Sequence, residues 1–516
     1  MSTESHMNAK AIMVLGTTSG AGKSWLATAL CRWYVRQGLR VAPFKAQNMS
    51  NNARVVPGPG GRMGEIGSAQ YFQALAARCT PEVRHNPVLL KPEHDTGSQV
   101  VVLGEVNREL GAVPWRERSE ALWPHARQAL AELLAENDVV VIEGAGSPAE
   151  INLHASDYVN MRSAMAAEAA CLLVTDIDRG GAFAHLYGTH ALLPPSEAAL
   201  IRGFVLNRFR GDAALLAPGP QQLQALTGVP TVATLPMWRE HGLPEEDGVY
   251  DAGFGAAAGA AGSGARPLRV AVIAWPRISN LDEFQALRNL PQVRLVWARQ
   301  PADLEGADWI VLPGSKLTSA DLAWLRAQRL DAAVAAHVAR GGAVLGICGG
   351  LQVLGETLTD PDGVESSSAV QHFGAPSGAP FAGDAPGLGL LPLVTRFERD
   401  KRLTPVRASF GQLEGAWAAL SGVAFDGYEI HQGVTVFHPS LERCAEVLRN
   451  PAGEVLGWQQ GPVLGLYAHG LFESPEVLQA LFGARCRTLD EVFDGLADYI
   501  DRHFEPGVLA GLLQPA

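Results

Sequence analysis

Residues 11–24 read AIMVLGTTSGAGKS, an apolar run that breaks into a glycine-rich turn and then enters the helix-compatible stretch WLATALCRWYVRQG at 25–38. A short apolar run bounded by glycine reads as a strand buried on both faces, and strand, turn and helix in that order open a βα unit. The same grammar recurs in DVVVIEGAG at 138–146, CLLVTDID at 171–178 and IRGFVLN at 201–207. Strands alternating with helical stretches predict a parallel sheet covered by helices.

Working outward, DAGFGAAAGAAGSGARP at 251–267 is almost all Ala, Gly and Ser and reads as a linker. A second α/β series follows it: LRVAVIAW at 268–275, VRLVWA at 293–298, ADWIVLPGS at 307–315 and GGAVLGICGG at 341–350. The expected organisation is a disordered N-terminus over 1–10, a nucleotide-binding α/β domain over 11–250, the linker at 251–267 and a second α/β domain over 268–516. The segment 360–425 is rich in Pro and Gly and shows weak periodicity.

Composition narrows the function classes. The 516 residues are 47% hydrophobic and 18% charged, as in a globular protein with buried sheets, and the net charge of −12 lacks the basic footprint of a nucleic-acid binder. An anionic ligand therefore needs a locally basic site or a helix N-terminus. The 6 cysteines form no CxxC pair, which argues against a disulfide framework or a zinc site and for a reducing compartment. The opening MSTESHMNAK has no apolar core, and no apolar run reaches the roughly 18 residues of a membrane span. The expectation is a soluble, cytoplasmic protein with no membrane partner.

The first site follows from the turn. Gly16, Gly20 and Gly22 precede Lys23 and Ser24 and a helix, so backbone N–H groups and the positive helix end face a phosphate, Lys23 neutralises it and the Ser24 hydroxyl reaches Mg²⁺. The spacing from Gly16 to Gly22 is one residue longer than in the common phosphate loop. Glu143 ends the apolar strand VVVIE at the carboxyl edge of the sheet, where α/β ligands bind, and is read as a Mg²⁺ ligand; a solvated strand end is the alternative. Asp176 and Asp178 end another strand, one for metal or substrate and one for a turn. Asn207 offers an amide donor and acceptor to the base of ATP, against a plain Asn turn. PFKAQNMSNN at 43–52 suits either a polar substrate or an Asn-rich turn.

In the second series GGAVLGICGGLQVLG places Cys348 between glycines at a strand-to-helix turn, a nucleophile elbow with cysteine in the serine position. A thiolate needs a proton shuttle, and His469 ends VLGLYAH late in the chain. Gly314 in VLPGSK and Gly349 are candidates for the backbone donors of an oxyanion hole.

These residues look like a class I glutamine amidotransferase domain, flavodoxin-like in fold, joined to a domain similar to dethiobiotin synthetase, whose phosphate loop has the same longer spacing. KAQNMSNN, NPVLLKP at 86–92, EGAGSPAEINL at 143–153, DIDRGGAF, NRFRGD, LPGSK, GICGGLQVLG and YEIHQG at 428–433 together resemble the cobyric acid synthase family of cobalamin biosynthesis. The resemblance implies amidation of the b, d, e and g carboxylates of adenosylcobyrinic acid a,c-diamide, driven by ATP with Mg²⁺ and fed by glutamine. It also implies an acyl-phosphate intermediate and a Cys348/His469 dyad. In the general class I pattern a Glu follows the catalytic His two positions later, whereas His469-Gly470-Leu471 has none, which leaves Glu473 as a candidate for orienting the imidazole. Glu429 and His431 are candidates for glutamine contact. Sister enzymes that amidate the a and c carboxylates, and partitioning ATPases with a related phosphate loop, are the competing readings. The latter have no use for Cys348.

Overall fold

The computed structural model describes residues 9–94, 97–244, 266–365, 385–483 and 487–514. Nearly all of the expected N-terminal tail and of the 251–267 linker lies outside the described residues.

The first sheet has six parallel strands in the order Thr231–Pro236, Ile201–Phe209, Ala170–Asp176, Lys10–Gly16, Val139–Glu143 and Val41–Phe44. The four runs read as strands from sequence are its four central members, and their near-continuous Val, Ile and Leu content follows from burial on both faces. Lys10–Gly16 sits where the chain order reverses, with Val139–Glu143 on one side and Ala170–Asp176 on the other. A reversal of that kind opens a crevice at the carboxyl ends of the strands.

The second sheet begins with five parallel strands, in the order Val293–Ala298, Leu268–Ile273, Trp309–Leu312, Ala343–Ile347 and Val463–Leu466. Counted along the chain this is 2-1-3-4-5, the flavodoxin-like order. Antiparallel strands extend it, among them the long hairpin of Leu393–Phe410 with Ala424–Phe437. The weakly periodic segment 360–425 thus contains an 18-residue strand. Charged residues interrupt its alternation because much of the hairpin projects beyond the core, toward the first domain.

There the hairpin delivers Lys401, whose Nζ donates to Glu65 Oε1 at 2.7 Å, while Lys91 Nζ donates to Oε2 at 2.5 Å. Glu65 is fully buried, and although burial disfavours its charge, Lys401 and Lys91 hold its pKa down to about 2.

The expected second domain, 268–516, has a helix near its end that packs elsewhere. Helix Leu489–His503 leaves that domain and packs on Lys23–Arg36, the helix that follows the phosphate loop. Val492, Phe493, Leu496 and Ile500 share one core with Ile12, Val14, Leu26 and Leu30. Arg36 also pairs with Asp498 at 2.6 Å, but an exposed pair of that kind contributes at most about 1 kcal/mol. Each buried apolar side chain contributes about 1.5–3 kcal/mol, so apolar burial fixes the helix there.

Candidate active site

The phosphate loop turns through Gly20 at φ +70° and Gly22 at φ +101°. A side chain on Gly22 would collide with the amide of Asn207, which donates from Nδ2 to Ala21 O at 2.9 Å and so braces the loop from the end of its strand. Lys23 Nζ donates to Thr18 O at 3.0 Å and Gly146 O at 3.1 Å, folded back over the loop it closes.

Three elements converge on Glu143. Ser24 Oγ and Lys45 Nζ each donate to its Oε1 at 2.8 Å, and Gln73 Nε2 donates to Oε2 at 2.5 Å. Burial disfavours this carboxylate, yet Lys45 and the hydrogen bonds keep its pKa below the ordinary range. Ser24 and Glu143 are hard oxygen donors of the kind Mg²⁺ takes, and Mg²⁺ ordinarily needs only one or two protein oxygens beside phosphates and water. The donor set therefore fits the ion, although among the described residues no cluster of three or more His, Cys, Asp or Glu forms a full protein cage. Asp176 pairs with Arg208 at 2.9 Å and Asp178 with Arg210 at 2.7 Å, so arginines hold both acids.

Beside these residues opens a cavity of about 1060 Å³ lined by Gly20, Lys23, Ser24, Glu143 and Asn207. It lies at the upper end of small-ligand pockets, roughly 300–1,000 Å³, and has room for more than a nucleotide. Gln47, Asn48 and Tyr158 line another wall, and Met49 and Trp115 also border it. Tyr499 of helix Leu489–His503 and Gln285 and Arg288 of the second domain also line it.

Cys348 ends strand Ala343–Ile347 and caps helix Gly349–Leu354 at φ +51°, ψ −105°. Such a turn is strained for a residue with a Cβ, and next to it Gly350 lets the helix rest directly on the Leu312 carbonyl, where a side chain would collide. His469 stacks on Tyr428, ring centroids 5.4 Å apart, and Cys348, whose Sγ donates to Ile430 O at 3.5 Å, is near enough to act on its charge. Its Nδ1 lies 3.2 Å from Glu283 Oε1, while Glu283 Oε2 accepts from Gly470 N at 3.2 Å. Burial alone would discharge this imidazole, but Glu283 and Cys348 push its pKa up to about 10.

Glu283 is the residue that sequence reasoning missed. Glu473, the candidate named for that position, instead meets Arg54 Nη1 at 2.9 Å. The oxyanion candidates also shift. Strands Ile278–Ser279 and Gly314–Ser315 pair antiparallel, with Lys316 N donating to Arg277 O. Alternation along that ladder turns the Gly314 N–H toward Ser279 and the Ser315 N–H outward. Ser315 N lies 2.8 Å from where a Cβ on Gly349 would sit, so Ser315 and Gly349 are the neighbouring donors beside Cys348. Glu429 and His431 pair with each other at 3.0 Å.

Residues 12–245 match the CobQ/CobB/MinD/ParA nucleotide binding domain, and residues 269–477 match the CobB/CobQ-like glutamine amidotransferase domain. The cobyric acid synthase of Leptothrix cholodnii is 73% identical over 512 residues, covering 98% of each chain. The cobyric acid synthases of Methylibium petroleiphilum and Variovorax paradoxus are 72% and 67% identical over 98% of this chain and 97% and 100% of theirs. The chain belongs to the cobyric acid synthase family. Membership makes it a glutamine-dependent amidoligase of cobalamin biosynthesis, with the nucleotide-binding and amidotransferase functions on successive domains. In this cobyric acid synthase family member the helix Leu489–His503 falls beyond both matched segments, consistent with its return to the first domain.

Proposed function

We propose that the chain amidates the b, d, e and g carboxylates of adenosylcobyrinic acid a,c-diamide with ammonia released from glutamine at Cys348. The observation that carries the reading is the Cys348, His469 and Glu283 array joined in one chain to the Ser24, Lys45 and Glu143 cluster.

In the first half-reaction the Cys348 thiolate attacks the glutamine side-chain carbonyl, and the N–H groups of Gly349 and Ser315 receive the negative charge on oxygen. His469, held charged by Glu283, gives its proton to the departing nitrogen, which leaves as ammonia while Cys348 keeps the glutamyl group as a thioester. Water, deprotonated by the now neutral His469, adds to the thioester carbonyl and expels the sulfur, giving glutamate and the starting thiolate–imidazolium pair.

In the second half-reaction a substrate carboxylate oxygen takes the γ-phosphoryl group of ATP, giving ADP and an acyl phosphate. Ammonia attacks the acyl carbon, loses a proton and expels phosphate. Gly20, Gly22 and Lys23 cradle the phosphates, and Asn207 braces the loop beside the base. Ser24 and Glu143 are the residues that would hold Mg²⁺, which when bound neutralises phosphate charge during transfer. Lys45, beside Glu143, is placed to follow the charge as it moves to the acceptor. Met49, 53% exposed, and Trp115, 38% exposed, give the cavity an apolar border suited to the macrocycle. The reaction belongs in the cytoplasm, and among the described residues no helix is long and apolar enough to cross a membrane.

Mass spectrometry of the corrinoid diamide after incubation with enzyme, glutamine and Mg-ATP tests the reading. Stepwise replacement of OH by NH₂ is expected; an unchanged corrinoid rejects the substrate.

A further inference from the structure

Arg54 belongs to the nucleotide-binding domain, on strand Ala53–Pro57, where its guanidinium lies over Tyr71 and Phe72, yet both of its carboxylate partners come from the other domain. It is 2% exposed, pairs with Asp282 through Nη2, and grips both oxygens of Glu473 at 2.9 and 2.6 Å. Its Cζ lies 4.9 Å from the centroid of Tyr428, the ring on which His469 stacks. Asp282 is the direct neighbour of Glu283 in the turn Leu281–Phe284. Arg54 therefore clamps the acid beside Glu283, the first turn after His469 and the platform under the imidazole.

The clamp is connected on both sides. Two residues before Arg54, Asn52 Oδ1 accepts from Leu281 N at 2.8 Å, and Asn280 Nδ2 donates to Ala53 O at 3.1 Å. The same segment runs back to Lys45 on Glu143, a span of at most about 30 Å even if fully extended. On the far side of Glu283, Gln285 and Arg288 line the nucleotide cavity. The turn that carries the catalytic acid is thus anchored at one end in the glutaminase site and at the other in the synthetase cavity.

We infer that Arg54 is a positioning residue through which the nucleotide-binding domain sets the geometry of Glu283 and His469, so that glutamine hydrolysis answers to occupancy of the synthetase cavity. The inference rests on the function proposed above. Binding in the cavity moves Gln285, Arg288 or the 45–54 segment; Arg54 and Asp282 pass that displacement to Glu283, whose hold on Nδ1 fixes how readily His469 surrenders its proton.

Full-length wild type, Arg54→Lys, Asp282→Asn and the double variant are assayed for glutamate release, with and without Mg-ATP plus corrinoid diamide, and for amidation driven by added ammonia. Lys keeps the charge but offers a point donor in place of the planar fork. Arg54→Lys is expected to lower kcat for glutamine hydrolysis at least about 10-fold with little change in KM, as an interaction that acts in the transition state requires. The alkaline limb of its pH profile moves to lower pH as His469 loses its fixed carboxylate. Ligand stimulation, present in wild type, collapses toward unity. Ammonia-driven amidation stays at the wild-type rate, and the double variant is no worse than the poorer single variant, the mark of residues acting as one unit. An Arg54→Lys enzyme with unchanged kcat, pH profile and stimulation overturns the inference, as does a proportional loss of glutamine- and ammonia-driven rates. A wild type that hydrolyses glutamine but leaves the corrinoid unaltered rejects the substrate alone, and the glutamate-release series still decides Arg54.

Discussion

Glu283 Oε1 and His469 Nδ1 meet at 3.2 Å across 186 residues of chain. An acid on Nδ1 holds the ring with its other nitrogen toward the nucleophile and stabilises the imidazolium. Glu283→Gln is expected to lower glutamine-driven amidation by roughly 10²–10⁴-fold while ammonia-driven amidation is retained. Steady-state rates with the two nitrogen sources check this; an equal fall in both refutes the role.

Cys348→Ala removes the nucleophile proposed for the amidotransferase half. Glutamate release should fall to background, and added ammonia should restore amidation. Loss of the ammonia-driven reaction as well would contradict the division of labour between the domains.

On the synthetase side, Lys23→Ala and Glu143→Gln should each abolish amidation with either nitrogen source, because both act before nitrogen arrives. Residual glutamate release from these variants, measured without corrinoid, should persist. An active Lys23→Ala enzyme would show that the loop is not where the phosphates sit.

The pH dependence of stability has two distinguishable arms. The folded-state pKa of His469 is raised to about 10, above its unfolded value near 6.5. Its contribution is therefore fully present below pH ~6.5 and is lost as pH rises toward 10. Glu65 is depressed to about 2, so its contribution is present above its unfolded value near 4.3 and is lost as pH falls toward 2. Urea midpoints across pH should decline at both ends. His469→Gln should flatten the alkaline arm and Glu65→Gln the acid arm; unaltered arms would reject these assignments.

Phe493 is 1% exposed in the core that helix Leu489–His503 shares with the phosphate-loop helix. Phe493→Ala is expected to cost about 3–5 kcal/mol. If the helix belonged to the amidotransferase unit instead, Mg-ATP would protect that variant no differently from wild type; attachment to the nucleotide domain predicts weaker nucleotide binding, measurable by calorimetry.

Much of this architecture was legible because parallel strands buried on both faces must be apolar throughout, so VVVIE and VLGLYAH announce themselves. The loop glycines and Cys348 were legible for a related reason, since phosphate cradles and nucleophile turns constrain adjacent residues. Glu283 was not, because the triad's third member is brought by tertiary folding with no fixed spacing. Its one local sign was an acidic pair, Asp282-Glu283, just beyond the carboxyl end of strand Leu268–Ile273. Ser315 was missed for Gly314 because ladder alternation, not residue type, decides which N–H is free. Helix Leu489–His503 has a clear apolar face, but the face does not say which domain it covers.

That helix also sets an order of assembly. Ile12, Val14 and Leu26 leave the ribosome long before Phe493, Leu496 and Ile500, which cover them. Domains made first generally fold first, but this one must wait through synthesis of the entire amidotransferase unit with one face uncovered. The nucleotide-binding half is thus completed only once the amidotransferase half has been made, which ties the two halves together during biogenesis.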